Sequence, residues 1–127
     1  MKILFLGDVV GLSGCRKITK DLLGQIQKNN IDFVIINAEN ADDTGVGLTK
    51  EICQNFFENG VDVITTGNHV WDQKDIMNFI DKENRLLRPK NLFEPAPGKG
   101  FEIYKTKKNC RVGVLNLMGN VFMKRCE

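Results

Sequence analysis

Three short apolar runs each give way abruptly to a small polar motif, and this punctuation limits the fold more than any bulk property of the chain. Lys2–Leu6 runs into Gly7-Asp8, Phe33–Ile36 into Asn37-Ala38-Glu39-Asn40, and Val61–Thr65 into Gly67-Asn68-His69. Short aliphatic runs without polar alternation read as buried strands. Ile18, Leu22, Leu23 and Ile26 recur at helical spacing and predict an amphipathic helix over 14–28. Ile52, Cys53, Phe56 and Phe57 mark a second helix, with Thr49 as its N-cap, Glu51 in its first turn and Gly60 at its left-handed end. Asp72 is placed to cap a third, carrying Ile76, Met77, Phe79 and Ile80. This β-α-β-α-β-α order predicts an α/β fold with a parallel sheet and right-handed crossovers. The C-terminal ends of such strands share one rim, where ligands bind, so the three polar motifs should meet there.

The pattern changes at Pro95-Ala96-Pro97-Gly98-Lys99-Gly100. Phe101–Thr106 and Arg111–Leu117, joined by Lys107-Lys108-Asn109, read as an antiparallel hairpin. Lys105, Lys107, Lys108 and Arg111 read as solvated hairpin charge. Val112–Leu117 is apolar enough to lie inside a sheet, yet only ten residues follow Leu117. Uncovered strand edges and apolar area are therefore expected, and with them self-association into a homo-oligomer.

With 127 residues the chain reads as one domain over 1–127. Its net charge of +2 gives no reason to expect nucleic acid or an anionic membrane as the main partner. No apolar stretch approaches the roughly 18 residues of a membrane span, and Ile3–Leu6 is too short for a secretory signal, so a cytoplasmic protein is expected. Cys15, Cys53, Cys110 and Cys126 lie far apart without a C-x-x-C pair, which argues for free thiols, with Cys53 as a small core residue.

The chemistry lies in the motifs. Gly7, Gly11 and Gly14 give G-x-x-x-G-x-x-G with no P-loop lysine, so neither nucleotide fingerprint is matched, and Asp8 reads as a turn residue or a metal ligand. Glu39 follows a buried strand, where a carboxylate can bridge two divalent cations and the amide oxygen of Asn40 can add a ligand. Asn37 and Asn40 could equally serve to support the loop. Asn68 offers another neutral oxygen, and His69, the only histidine, can give a proton to a phosphate oxygen or a leaving group.

These motifs, in this order and spacing, resemble those of the calcineurin-like metallophosphoesterases, and within them the YmdB-like branch of bacterial phosphodiesterases. The resemblance rests on Gly7-Asp8-Val9-Val10-Gly11, Asn37-Ala38-Glu39-Asn40, Gly47-Leu48-Thr49, Thr66-Gly67-Asn68-His69-Val70-Trp71-Asp72, Arg88-Pro89 and Pro97-Gly98-Lys99-Gly100. Val10 stands where the wider superfamily usually has a histidine, a departure shared by that branch. The resemblance implies a layered sheet with flanking helices, represented here by its N-terminal βαβαβα unit and a hairpin. It implies two iron or manganese ions: Asp8 on the first, Glu39 bridging, Asn40 and Asn68 on the second, with His69 as proton donor. The implied substrates are phosphodiesters, including 2′,3′-cyclic nucleotides, cleaved by metal-activated water. The family's remaining ligands are histidines in the second half of its fold, and no histidine follows His69 here. The ligands present, all oxygen, suit weakly held magnesium or manganese better than iron. Weak or absent activity is expected of this chain alone. A competing reading is a non-catalytic, truncated module that binds phosphate or nucleotide at the same rim. A flavodoxin-like or Rossmann-like binding domain would leave the three polar motifs unexplained.

Overall fold

In the computed structural model, which describes residues 1–93, 95–123 and 126, four parallel strands carry the chain. They are β1 (Ile3–Leu6), β2 (Phe33–Asn37), β3 (Val63–Thr65) and β4 (Leu86–Leu87), in the spatial order β1-β2-β3-β4. Leu6 pairs with Ile36 and Asn37 with Thr65, so the first three strands run out at nearly the same level. The segments that follow them leave the sheet side by side.

Pleating sorts the strand residues onto two faces. Val34, Ile36, Ile64 and Leu86 are buried with Leu22, Phe56, Ile76 and Ile80 from the helical side. Phe33, Val63 and Leu87 are buried on the opposite side with Val112 and Val114. Burial on both faces explains why β2 and β3 read as continuous apolar runs rather than as alternating ones, whereas in β1 Ile3 and Phe5 stay exposed.

Helix α1 spans Gly11–Asn29, starting ahead of the predicted position 14. Apolar periodicity marks only the buried face, whereas the first turn is set by Gly11, whose N–H meets the Asn40 carbonyl at 2.8 Å. Asn30 ends α1 in the left-handed conformation, and the N–H of Ile31 returns to Ile26. Helix α2, Lys50–Glu58, has the predicted start: Thr49 Oγ1 accepts from the Ile52 N–H at 3.3 Å. Gly60 follows it with φ +96°, and a Cβ there would press on Ile26 and Leu23 of α1.

The third predicted helix is corrected. Lys74–Asn78 and Ile80–Lys82 are two short 3₁₀ segments, and Asp72 caps neither. Ile76 and Ile80 are buried as expected, but Met77 is exposed. The carboxylate of Asp72 is engaged with His69 instead, and the Gln73 side chain reaches back to Asp42 and Val46. The side chains that could have organised an α-helical first turn are thus committed elsewhere, and the chain winds in the short 3₁₀ pieces common in connectors.

β5 (Phe101–Lys105) and β6 (Arg111–Leu115) form the predicted hairpin as a separate two-stranded sheet. β6 is not inside a sheet. Val112 and Val114 face the core, while Leu115 and the following Leu117 are exposed. Nor are the hairpin lysines all free in solvent, since Lys108 Nζ lies 2.6 Å from Asp32 Oδ1 and holds that carboxyl below the usual range. Tyr104 donates to the Asn84 carbonyl, and its ring lies 5.9 Å from that of Phe33. Buried Arg88 donates to the carbonyls of Pro89, Lys90, Ala96 and Pro97, which fixes the connection into β5.

Cys15, Cys53 and Cys126 are buried and Cys110 is exposed, all as free thiols. Cys53 is the core residue expected of it, and burial pushes its thiol pKa up. Among the described residues no helix is long and apolar enough to cross a membrane.

Asn116 ties the hairpin to the main sheet. Its Nδ2 donates to the carbonyls of Thr66 at 2.7 Å and Leu87 at 3.1 Å, and it is buried. Asn116→Ala removes both bonds and leaves two acceptors without this donor, so a loss of about 2 kcal/mol is expected in urea unfolding. A loss below about 0.5 kcal/mol, the scale of an ordinary surface change, would show that the hairpin is held by its apolar face alone.

Candidate metal centre

All three polar motifs arrive at the rim. Asp8 leaves β1 with φ +47°, a left-handed conformation that Asp tolerates better than most residues. The Val9 N–H donates to the Asn37 carbonyl at 3.0 Å, and Val10 bridges to Asn40. The loop after β1 is therefore laid along the loop after β2. Side chains complete the link, with Asn40 Nδ2 donating to Asp8 Oδ1 at 2.7 Å.

Glu39 turns the other way, toward β3. Its Oε2 accepts the His69 N–H at 3.2 Å, and its carboxylate lies against Gly67 so closely that a Cβ there would overlap both oxygens. Asn68 is exposed and shares an open cavity of about 340 Å³ with Asn37, Glu39 and Gly67, lined also by Asn116–Gly119. The Oδ1 of Asn37 is buried and has no hydrogen-bond partner among the described residues. The rim thus brings together Asp8 with Asn40, and Glu39 with His69 and Asn68.

The loop from Ala41 to Leu48 is clasped from behind. Asp42 accepts from the N–H and hydroxyl of Thr44 and from Gln73 Nε2. Burial works to raise the Asp42 pKa, but these hydrogen bonds outweigh it and hold the carboxyl below its ordinary value. A depressed carboxyl contributes stability above its unfolded pKa and loses it as the pH falls through the folded one. The clasp is therefore intact near neutrality. Gly47, at φ +86°, lets the backbone pass against Gln73, where a Cβ would collide.

The donor set fits hard divalent cations. Two carboxylates and two amides offer oxygen ligands, and the orphaned oxygen of Asn37 lines the same cavity. Among the described residues no three His, Cys, Asp or Glu side chains cluster together, so the amides must count as ligands for the set to hold two ions.

A family model described as YmdB-like protein matches residues 4–127. The chain belongs to the YmdB-like family. It is 44% identical over 124 residues to a 2′,3′-cyclic-nucleotide 2′-phosphodiesterase of Bacillus subtilis, with 97% of this chain and 46% of that protein covered. A crystal structure of a hypothetical protein from Thermus thermophilus superposes with TM-score 0.91 at 33% identity, covering 100% of this chain and 48% of that one. The crystal structure of a phosphatase from Mycoplasma pneumoniae gives TM-score 0.84 at 35% identity, with 94% and 43% covered. The chain spans about half the length of the curated relatives it matches.

Two features of this YmdB-like rim escape a reading of the sequence. Asp72 has the look of a cap, although its position three residues after His69 in a turn already puts it within reach of the imidazole. Gly67 reads only as part of a motif, whereas its role is to leave room for Glu39. Gly67→Ala should displace the Glu39 carboxylate, the flexible end of a half-buried side chain, and cost no more than about 1 kcal/mol, read by chemical denaturation. An unchanged midpoint would mean that Glu39 is free to swing away without cost.

Proposed function

We propose that this chain carries the N-terminal ligand set of a metal-dependent phosphodiesterase acting on small phosphodiesters, 2′,3′-cyclic nucleotides among them. The observation that supports it best is the convergence of Asp8, Glu39, Asn40 and His69 from three strand ends, cross-linked by the Asn40–Asp8 and His69–Glu39 hydrogen bonds. The name of the Bacillus subtilis relative supports the substrate class. Asp8, Glu39, Asn40 and Asn68 would hold two divalent ions, with Glu39 shared between them, and this all-oxygen set suits manganese better than the iron that the family resemblance also implies. Such ions supply Lewis acidity, drawing charge from the phosphate and favouring ionisation of water near neutral pH.

The chain's own groups do the remaining work. Asn40 holds the Asp8 carboxylate in place through its N–H, keeping its own carbonyl oxygen for a ligand role. The backbone of His69 holds Glu39. The His69 ring delivers a proton to the leaving oxygen as the P–O bond breaks, the bonding pair staying on that oxygen. Gly67, lacking a side chain, keeps the floor of the site open.

Hydrolysis of 2′,3′-cyclic AMP by the chain in manganese should be slow but measurable. Glu39→Gln should abolish it, and His69→Ala should lower kcat about 100-fold. Equal rates in Glu39→Gln and the parent chain would refute the site. Manganese and phosphate binding by calorimetry, without turnover, would instead assign this chain a binding role alone.

A further inference from the structure

His69 Nδ1 lies 2.6 Å from Asp72 Oδ2. Both side chains are accessible, 34% and 42% exposed, so the pair is worth little to stability. Nor does capping occupy Asp72, because the 3₁₀ segment behind it begins from Gln73 without a side-chain cap. Meanwhile the backbone of His69 is fixed independently: its N–H bonds Glu39, its carbonyl accepts the Asp72 N–H at 3.2 Å, and the next residue, Val70, is fully buried. What remains undetermined by the backbone is the rotation of the imidazole ring and the nitrogen it presents to the rim.

We infer that Asp72 is a positioning residue that fixes both. An ionised carboxylate only accepts hydrogen bonds, so Nδ1 must be the donor and Nε2 becomes the nitrogen left for the substrate. This deepens, and rests on, the reading of His69 as proton donor. Before the step both ring nitrogens carry protons. The Nε2 proton passes to the leaving oxygen, and the neutral ring remains with its proton on Nδ1, still bonded to Asp72. Without the carboxylate the neutral ring is free to carry its proton on Nε2, and orientation toward the leaving oxygen is no longer enforced. The same carboxylate–imidazole arrangement fixes tautomers elsewhere in proteins, and its loss is felt in turnover rather than in folding.

Because His69 is the only histidine of the 127 residues, its ring nitrogens can be read without assignment ambiguity in this 127-residue chain labelled with nitrogen-15. Long-range proton–nitrogen correlation of the neutral ring, in the absence of metal, should show the Nδ1–H tautomer. In Asp72→Asn the balance should move to Nε2–H, and Asp72→Glu, which keeps a carboxylate, should restore Nδ1–H. With manganese, Asp72→Asn should lower kcat on 2′,3′-cyclic AMP about 100-fold at unchanged KM. It should leave bis(p-nitrophenyl) phosphate, whose leaving group needs no proton, largely unaffected. An Nε2–H ring in the parent chain, or a tautomer indifferent to Asp72→Asn, overturns the inference whatever the activity. Equal losses on both phosphodiesters also overturn it, since a merely structural role would give that result. A His69→Ala chain with normal turnover would instead remove the proton-donor reading, while the tautomer measurement still decides the Asp72–His69 coupling.

Discussion

The contact between the Glu39 carboxylate and the bare backbone of Gly67 joins two of the three loops that make this rim. A carboxylate so placed cannot coexist with any side chain at position 67, and it is kept there by the N–H of His69. The loops after β2 and β3 are thereby joined through one side chain, whose carboxylate end can still move. The Val9–Asn37 and Gly11–Asn40 backbone bonds then bring the loop after β1 into line. If Glu39 moved, the His69 backbone would lose its side-chain acceptor. The parallel register beneath sets the height of these loops, but the register alone would only bring them near one another.

Beneath the rim the sheet is covered unevenly. The hairpin closes the face of β2, β3 and β4 through Phe33, Val63, Leu87, Val112 and Val114. It does not reach over β1, whose Ile3 and Phe5 remain exposed, together with Phe101, Ile103 and Leu115 on the hairpin's outer side. Each such side chain is about half exposed and so forgoes roughly half of the ~1.5–3 kcal/mol that full burial contributes. Phe5, Leu115 and Leu117 line a groove that also contains Asn37, so this apolar surface runs up to the edge of the candidate site. The uncovered apolar area expected from the lone strand Val112–Leu117 is present, though it lies on two elements rather than on one.

β2 and β3 were legible because they are buried on both faces and break off at polar motifs, and β1 because its short aliphatic run ends at Gly7-Asp8, although its outer face is left uncovered. α2 was legible because Thr49 and Gly60 carry its boundaries in side-chain chemistry. The start of α1 was not, since it depends on a hydrogen bond from Gly11 to Asn40, a partner far along the chain. The third helix failed for a related reason: apolar pairs three apart, Ile76 with Phe79 and Met77 with Ile80, fit a 3₁₀ turn as well as an α-helix, and the tertiary demands on Asp72 and Gln73 decided between them. The two-residue β4 carries too little pattern to be seen. At the site, identity and order were visible in the motifs, but which side chain holds which was not. Asn40 reaching Asp8 and Glu39 resting on Gly67 are contacts across loops, and local spacing carries no trace of them.

The amides at this rim solve an electrostatic problem that carboxylates would create. Asn40 sits 2.7 Å from Asp8, a distance at which two ionised carboxylates repel strongly and one would be driven to take up a proton. An amide in that place turns the repulsion into a hydrogen bond through its nitrogen, while its carbonyl oxygen stays available to a cation. The loops can then hold their working arrangement before any ion arrives, so the cost of ordering them falls on folding rather than on binding. On the proposed reading, the same choice would lower the total negative charge offered to an ion, weakening the hold on it but also weakening the repulsion that an anionic phosphodiester would have to overcome to approach. A rim of Asp8, Glu39, Asn40 and Asn68 would then trade tight metal retention for a site already assembled and open to a negatively charged substrate.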